Sequence, residues 1–233
     1  MQRYQQQILV PEVLKSGQEK LAKARVLIIG AGGLGVPLAT YLASAGVGHI
    51  GIIDQDTISI SNLHRQFLYT ITDLNKPKVE ILKTRLNQIN PEVEITSYKE
   101  NLNQNNAEKI IQDYDIICDC TDDTETRILI GQISAAHEKP LVYAAVLEWT
   151  AYLTVLNHKQ KIRLEDIFSS QSLRENASNT CSTAGIINTT CGITGTMQAS
   201  EVLKIILNLD SNLDGNLLCI DTLSNIFRTF KIK

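Results

Sequence analysis

One stretch limits the folds open to this chain more than any other. Val26–Gly35 reads VLIIGAGGLG, an apolar run that stops abruptly at glycines. Such a run, bounded by glycine, reads as a short buried strand. Leu34–Ala45 behind it reads as a helix closed by Gly46. The loop Gly30-Ala31-Gly32-Gly33-Leu34-Gly35 therefore follows a strand and opens a helix. That is the setting in which G-x-G-x-x-G marks nucleotide binding. Gly30, Gly32, Gly33 and Gly35 let the backbone approach phosphate, and the helix N-terminus attracts the anion. Asp54 stands 19 residues beyond Gly35, at the end of a second strand-like run, His49–Ile53. A carboxylate there can bind ribose hydroxyls. The fingerprint leaves NAD, FAD and ATP unseparated.

The same alternation continues along the chain. Helical spacing covers Pro11–Ala24, the segment opened by Asn75-Lys76-Pro77, Ala107–Gln112 and Thr124–His137. Strand-like runs fall at Arg25–Ile29, Val93–Tyr98, Asp115–Cys120 and Leu141–Ala145. Strands alternating with helices predict a parallel sheet covered on both faces. After Glu148 the pattern changes: Trp149–Leu156 is strand-like, Asn157–Asn179 is polar and poorly periodic, and Cys191–Leu207 is helical. Leu217–Asp221 and Ile226–Ile232 then predict a final antiparallel pair. The expected fold is α/β: a Rossmann-like, mostly parallel sheet with helices on both faces and a C-terminal antiparallel extension. One domain is expected over residues 1–233, with a nucleotide-binding part at 25–146 and a crossover loop at 157–183.

Composition narrows the function classes. The chain has 233 residues, 43% hydrophobic and 20% charged, ordinary for a soluble globular domain. A net charge of -3 argues against a general nucleic-acid or membrane-surface binder. The long apolar stretches are interrupted by Gly, Pro, Ser or charges, so no membrane span is expected. The start, MQRYQQQILVPE, lacks the apolar core of a secretory signal. Cys118, Cys120, Cys181, Cys191 and Cys219 form no Cys-x-x-Cys pair. Neither a disulfide framework nor a four-cysteine zinc site is expected, and the cytoplasm is the default compartment.

The run IDQDTISISNLHRQF, Ile53–Phe67, separates the nucleotides. Asp56 is either a second polar contact or a turn acid. Asn62 and Arg65 are three apart, so a helical turn would put both on one side. Lys78 falls in the first turn of the next predicted helix, where its ammonium and the helix dipole act on the same anion. Each alone reads as a solvated surface residue; together they line a phosphate loop with positive charge. A nicotinamide has no need of that lining, whereas a triphosphate does. Asp119-Cys120-Thr121-Asp122-Asp123 ends another strand, at the crevice of such a sheet. Asp122 is the candidate Mg²⁺ ligand and Asp123 the helix cap. The four histidines, His49, His64, His137 and His158, are scattered and read as structural or surface residues.

The sequence resembles the ThiF/MoeB/HesA family, bacterial relatives of ubiquitin-activating enzymes. RYQQQ, GAGGLG, YLASAGVG, SNLHRQ, NKPKVE, CTDD, TCSTAG and GTMQASEVLKII occur in the family's order over nearly the whole chain. The resemblance implies ATP-dependent adenylation of the C-terminal glycine carboxylate of a ubiquitin-like sulfur carrier protein ending in Gly-Gly, by a homodimer. It implies Asp54 on the ribose, Asn62, Arg65 and Lys78 on the phosphates with Gln66 in support, and Asp122 on the metal. TCSTAG and GTMQA lean toward the thiamine-pathway member, with adenylation of the molybdopterin-synthase small subunit as the alternative. An NAD-dependent oxidoreductase and a non-catalytic ATP-binding dimeric scaffold are the readings of another class. Cys181 in TCSTAG has two readings that both stay open: a participant in later sulfur or thioester chemistry, or an inert buried thiol. Cys191 reads as core, and Cys118, Cys120 and Cys219 as strand packing.

Two departures from the family pattern matter. Members often carry two zinc-binding Cys-x-x-Cys pairs; here the first is replaced around KQKIRLEDIF, and FRTFKIK is reached without a second. No zinc is therefore expected. The family's Arg-Tyr-x-Arg-Gln reads Arg3-Tyr4-Gln5-Gln6-Gln7, so Gln6 replaces an arginine that in relatives crosses to the neighbouring subunit's ATP.

Overall fold

The computed structural model of the chain describes residues 2–169, 171, 185–210 and 213–232. Within them the helices are α1 (Leu14–Leu21), α2 (Gly35–Ala45), α3 (Lys78–Ile89), α4 (Ala107–Ile111), α5 (Thr124–Ala136), α6 (Leu164–Ile167) and α7 (Asn188–Leu207). The strands are β1 (Arg25–Ile29), β2 (His49–Ile53), β3 (Glu94–Tyr98), β4 (Ile116–Asp119), β5 (Leu141–Leu147), β6 (Thr150–Leu156), β7 (Asn216–Asp221) and β8 (Ile226–Lys231). The predicted elements recur with their ends shifted by a few residues. The largest difference is α1, three residues shorter at each end than the predicted span of Pro11–Ala24. Leu14, its first residue, has φ +50°, a left-handed conformation that separates α1 from the turns before it.

All eight strands join one sheet in the order β3-β2-β1-β4-β5-β6-β7-β8. The first five run parallel. From β5 onward every pairing is antiparallel. The expectation of an antiparallel extension holds, but the extension is larger than the predicted final pair. β5 and β6 form a hairpin that pairs Leu147 with Thr150. Its turn is made possible by Glu148 at φ +53°. No Gly or Asn marks that turn in the sequence, so the two strands were legible there but their pairing as a hairpin was not.

Two apolar layers hold the sheet. Val26, Ile28, Ile50, Ile52, Val142 and Ala144 point to one face, against Leu38, Leu42, Val79, Leu82, Leu86 and Val202 from α2, α3 and α7. Leu27, Ile29, Ile117, Leu141 and Tyr143 point to the other, against Ile110, Ile111, Ile130 and Leu164 from α4, α5 and α6. This strict alternation along each strand is why the strands read as unbroken apolar runs. Each fully buried Leu or Ile contributes about 1.5–3 kcal/mol relative to exposure. On the β6–β8 side, Tyr152, Ile226 and Phe230 remain exposed.

The strand order reverses between β1 and β4. That switch point leaves a crevice beyond the carboxyl ends of the strands, the position at which ligands bind in open α/β sheets.

Candidate functional site

The glycine loop crosses the mouth of this crevice, and two of its glycines have no substitute. Gly30 has φ +105°, and a Cβ there would come within 2.6 Å of the Cys120 carbonyl oxygen. A Cβ on Gly35 would overlap the Gly30 carbonyl oxygen. Gly30→Ala is expected to lose at least about 1–3 kcal/mol of stability through overpacking alone, with further loss from the strained φ. Urea denaturation checks this; an unchanged midpoint would show that the loop can open without cost.

Ala31 is bound on both of its backbone groups. Its N–H donates to Asp54 Oδ2 at 2.7 Å, and its carbonyl accepts from the Tyr69 hydroxyl at 2.9 Å. Asp54 Oδ1 accepts from the Asp56 N–H at 2.8 Å. Asp54 is thus a support of the loop as well as a candidate ribose ligand. A carboxylate has about four lone-pair sites, so two remain. Tyr69 is buried, and burial pushes its phenol well above the usual range, so it stays a neutral donor. Sequence reasoning missed Tyr69, since an isolated tyrosine carries no local signal.

A cleft of about 880 Å³ opens here. Gly30, Gly32, Gly33, Asp54, Asn62, Arg65, Gln66, Lys78 and Asp122 all line it. Gly35 lies one residue behind, as the first residue of α2. Arg65 follows a short 3-10 turn, Ile60–Asn62, and its Cδ lies 3.4 Å from where a Gly33 Cβ would stand. Its Nη1 donates to the Ser61 carbonyl at 3.0 Å and lies 2.8 Å from His64 Nε2. His64, read from sequence as a structural or surface residue, is exposed and is also a neighbour of the candidate phosphate arginine. Asn62 Oδ1 accepts from the Ser59 N–H at 3.1 Å and closes the turn. Gln66 is only 2% exposed, and its Oε1 has no hydrogen-bond partner in the protein. An orphaned buried acceptor at a cleft wall is costly unless a ligand completes it.

Lys78 lines the cleft beside an acidic partner. It is not a solvated cation: its side chain is 6% exposed, and Nζ donates to Asp56 Oδ2 at 2.7 Å. Asp56, for which a polar contact and a turn acid were both open, is the lysine's partner.

At the end of β4, Asp123 caps α5 by accepting from the Thr126 N–H at 2.7 Å, as its position predicts. Asp122 is exposed to the cleft, and no hydrogen bond or ion pair engages it among the described residues. No group of three or more His, Cys, Asp or Glu gathers as a metal cage among the described residues. A lone carboxylate beside a phosphate loop still fits Mg²⁺, which takes one or two carboxylates plus phosphate oxygens and water.

Beneath Asp122 lies a buried pair that sequence reasoning also missed. Arg127 Nε donates to Asp119 Oδ2 at 3.1 Å, and its Nη2 donates to the Thr121 carbonyl. The guanidinium stacks over Tyr143 at 5.0 Å from the ring centroid. Burial pushes the Asp119 carboxyl up, and the Arg127 guanidinium pulls it back down. Arg127 lies one helical turn beyond the cap Asp123, so it faces the strand end; that spacing was the available signal. From the other side, Gln198 of α7 donates to the Asp119 and Val142 carbonyls at 3.0 and 3.2 Å. Its Oε1 accepts from the Cys120 thiol at 3.5 Å. Burial raises the Cys118 and Cys120 thiols, which makes both poor nucleophiles. Cys191 is buried in α7, as its core reading expects. Cys181 and residues 170 and 172–183 of the predicted crossover loop lie outside the described residues.

Arg3 does not reach this cleft. Its Nη1 donates to the Ile89 carbonyl at 2.8 Å, at the opposite end of α3 from Lys78. That is roughly 17 Å along the helix axis. Gln6 is exposed beside it. No helix among the described residues is long and apolar enough to cross a membrane.

A mostly parallel sheet with a glycine loop and strand-end acids at its switch point defines an α/β protein of the Rossmann type. Within that class the chain belongs to the ThiF family, whose model matches residues 4–233. An adenylyltransferase and sulfurtransferase MOCS3 from Xenopus laevis is 42% identical over 99% of this chain and 51% of its own length. A sulfur carrier protein adenylyltransferase from Thermus thermophilus is 34% identical over 100% of this chain and 88% of its own. The chain spans about half the length of several curated relatives it matches. In fold, it is similar to the crystal structure of E. coli MccB with MccA-N7isoASN: TM-score 0.85, 20% identity, 99% of this chain and 71% of that one.

Proposed function

We propose that this chain catalyses ATP-dependent adenylation of the C-terminal glycine carboxylate of a ubiquitin-like sulfur carrier protein, with release of pyrophosphate. The observation that carries this reading is the placement of Lys78 and Arg65 on the wall of the glycine-loop cleft. Two cations there serve a triphosphate and are useless to hydride transfer, which speaks against the NAD-dependent alternative. The relatives named above as adenylyltransferases support the same reaction class.

The chemistry follows from charge. A terminal carboxylate is ionised at pH 7 and needs no general base. Its oxygen attacks the α-phosphorus while the bond to the bridging oxygen breaks and pyrophosphate leaves. The obstacle is repulsion between carboxylate and polyphosphate. Arg65, Lys78, Asn62 and the loop N–H groups offset that charge and hold the leaving group. Gln66 offers its unpartnered Oε1 as an acceptor to a hydroxyl or amino group of the nucleotide, and Asp54 offers its remaining lone pairs to the ribose hydroxyls. Asp122 would hold Mg²⁺, which when bound neutralises phosphate charge.

The exposed sheet face supports a protein substrate. Ala145 and Leu147 line the cleft on β5. Ala145 pairs across the sheet with Tyr152, Tyr152 with Cys219, and Cys219 with Arg228. Directly opposed residues share a face, so one surface runs from the cleft out to β8. On it Tyr152 is 38% and Phe230 52% exposed. A carrier seated there would direct its C-terminal tail along Leu147 and Ala145 into the cleft. A homodimer is part of the proposal, with exposed Leu9, Val10 and Leu14 beside Gln6 as the apolar surface for a second copy.

The thiamine-pathway type of carrier is the proposed partner, and the molybdopterin-synthase small subunit is the alternative. Exchange of labelled pyrophosphate into ATP tests the reading with each carrier supplied separately. Exchange is expected with a carrier bearing an intact C-terminal glycine, and it is expected to stop on addition of EDTA. Absence of exchange with both carriers would instead support an ATP-binding scaffold.

A further inference from the structure

Asp56 occupies a junction that the proposed reaction leaves unexplained. It lines the cleft, yet three contacts tie it to its surroundings rather than to any ligand. Its N–H donates to Asp54 Oδ1 at 2.8 Å. Its carbonyl accepts from the Lys78 N–H at 3.0 Å. Its carboxylate accepts from Lys78 Nζ at 2.7 Å. The neighbouring Thr57 bridges Pro77 in antiparallel fashion, and Ile58 exchanges backbone hydrogen bonds with Lys76 and Asn75. The start of α3 is thus laced to the end of β2 through this segment. Because Asp54 also holds the Ala31 N–H, one connected path runs from the glycine loop through Asp54 and Asp56 to the lysine ammonium.

The two partners of the ion pair are unequal. The Lys78 side chain is 6% exposed and the Asp56 side chain 58%. A buried ammonium has few conformations open to it and needs a partner there. An exposed carboxylate needs none, since water serves it. The pair therefore matters to the lysine. When an anion enters the cleft the balance changes: the ammonium gains a stronger partner, and the Asp56 carboxylate becomes a like charge beside it.

We propose that Asp56 is a positioning residue, which fixes the Lys78 ammonium at the cleft wall before the nucleotide binds and releases it to the phosphate chain on binding. The proposal rests on the reading of Lys78 as a phosphate ligand. It has a signature that a purely structural role lacks. Removing the Asp56 charge relieves repulsion toward the triphosphate, so ATP binding is not weakened. The lysine, however, loses its fixed geometry, so the chemical step slows.

The test measures kcat and KM for ATP in pyrophosphate exchange for the parent, Asp56→Ala, Asp56→Asn, Asp56→Glu, Lys78→Ala and the Asp56→Ala/Lys78→Ala double variant. Thermal melting confirms that each is folded. Asp56→Ala is expected to lower kcat by about tenfold or more, the scale of a displaced catalytic group, with KM unchanged or reduced. Asp56→Glu is expected to keep more of the rate than Asp56→Asn. In the Lys78→Ala background, Asp56→Ala is expected to change the residual rate by no more than about twofold, because the two residues act as one unit. An active parent and an impaired Lys78→Ala beside a normal Asp56→Ala would overturn this proposal alone. So would an Asp56→Ala effect of full size in the absence of Lys78. An inactive parent, or a Lys78→Ala protein at full rate, would remove the phosphate reading beneath it.

Discussion

Lys78→Ala and Arg65→Ala are each expected to cut carrier-dependent pyrophosphate exchange by about a hundredfold or more. The figure follows from the roughly 3 kcal/mol or more that a preorganised charged donor supplies to a transferring phosphoryl group. Lys78 should show the larger effect. It is buried at the cleft wall and fixed by Asp56, whereas Arg65 is more open and bonds its own turn. Preorganisation in a site shielded from water strengthens an electrostatic contact; exposure weakens it. Asp122→Ala should be comparably impaired if it holds the metal, and here added Mg²⁺ is informative. Partial recovery of rate at high Mg²⁺ is expected for Asp122→Ala and not for Lys78→Ala. Steady-state exchange at several Mg²⁺ concentrations separates the two. Near-parent rates in all three variants would dismantle the site assignment.

The largest effect on stability is expected at Arg127. Its guanidinium neutralises Asp119, whose side chain is 1% exposed, and also holds the Thr121 carbonyl and stacks on Tyr143. Arg127→Ala leaves a buried carboxylate without its cation, a change that costs about 3–5 kcal/mol. Asp119→Asn combined with Arg127→Met removes both charges and is expected to recover most of that loss. Urea denaturation of the single and double variants checks the coupling. Equal losses in both would mean that the guanidinium's packing, not its charge, carries the effect. Because Arg127 fixes the turn that carries Asp122, the double variant should remain folded yet show weaker Mg²⁺ dependence.

Much of the fold was legible because its signals are local. Val26–Ile29 and Ile50–Ile53 are apolar on both faces, the pattern a central parallel strand must have. Gly46 closes α2 in the left-handed conformation at φ +82°, as a glycine after an apolar helix predicts. The acids Asp54 and Asp122 stand just past strand ends, so their place at the crevice follows from strand topology alone. The β5–β6 hairpin was less legible, since its turn uses Glu148 in a conformation normally left to Gly or Asn.

The sequence by itself determined the alternating sheet, the glycine loop and the set of charged residues gathered near it. Each of these follows from periodicity or from the backbone freedom of one residue type, which neighbours in the chain decide. Only the tertiary structure decided how those charges are used. Asp56 and Lys78 are 22 residues apart, Tyr69 and Ala31 38 apart, and Gln198 and Asp119 79 apart. No local pattern encodes such pairs. They arise because the parallel crossovers bring the ends of β1, β2 and β4 and the starts of α2, α3 and α5 to one edge of the sheet. At that edge, burial turns separately unremarkable side chains into partners.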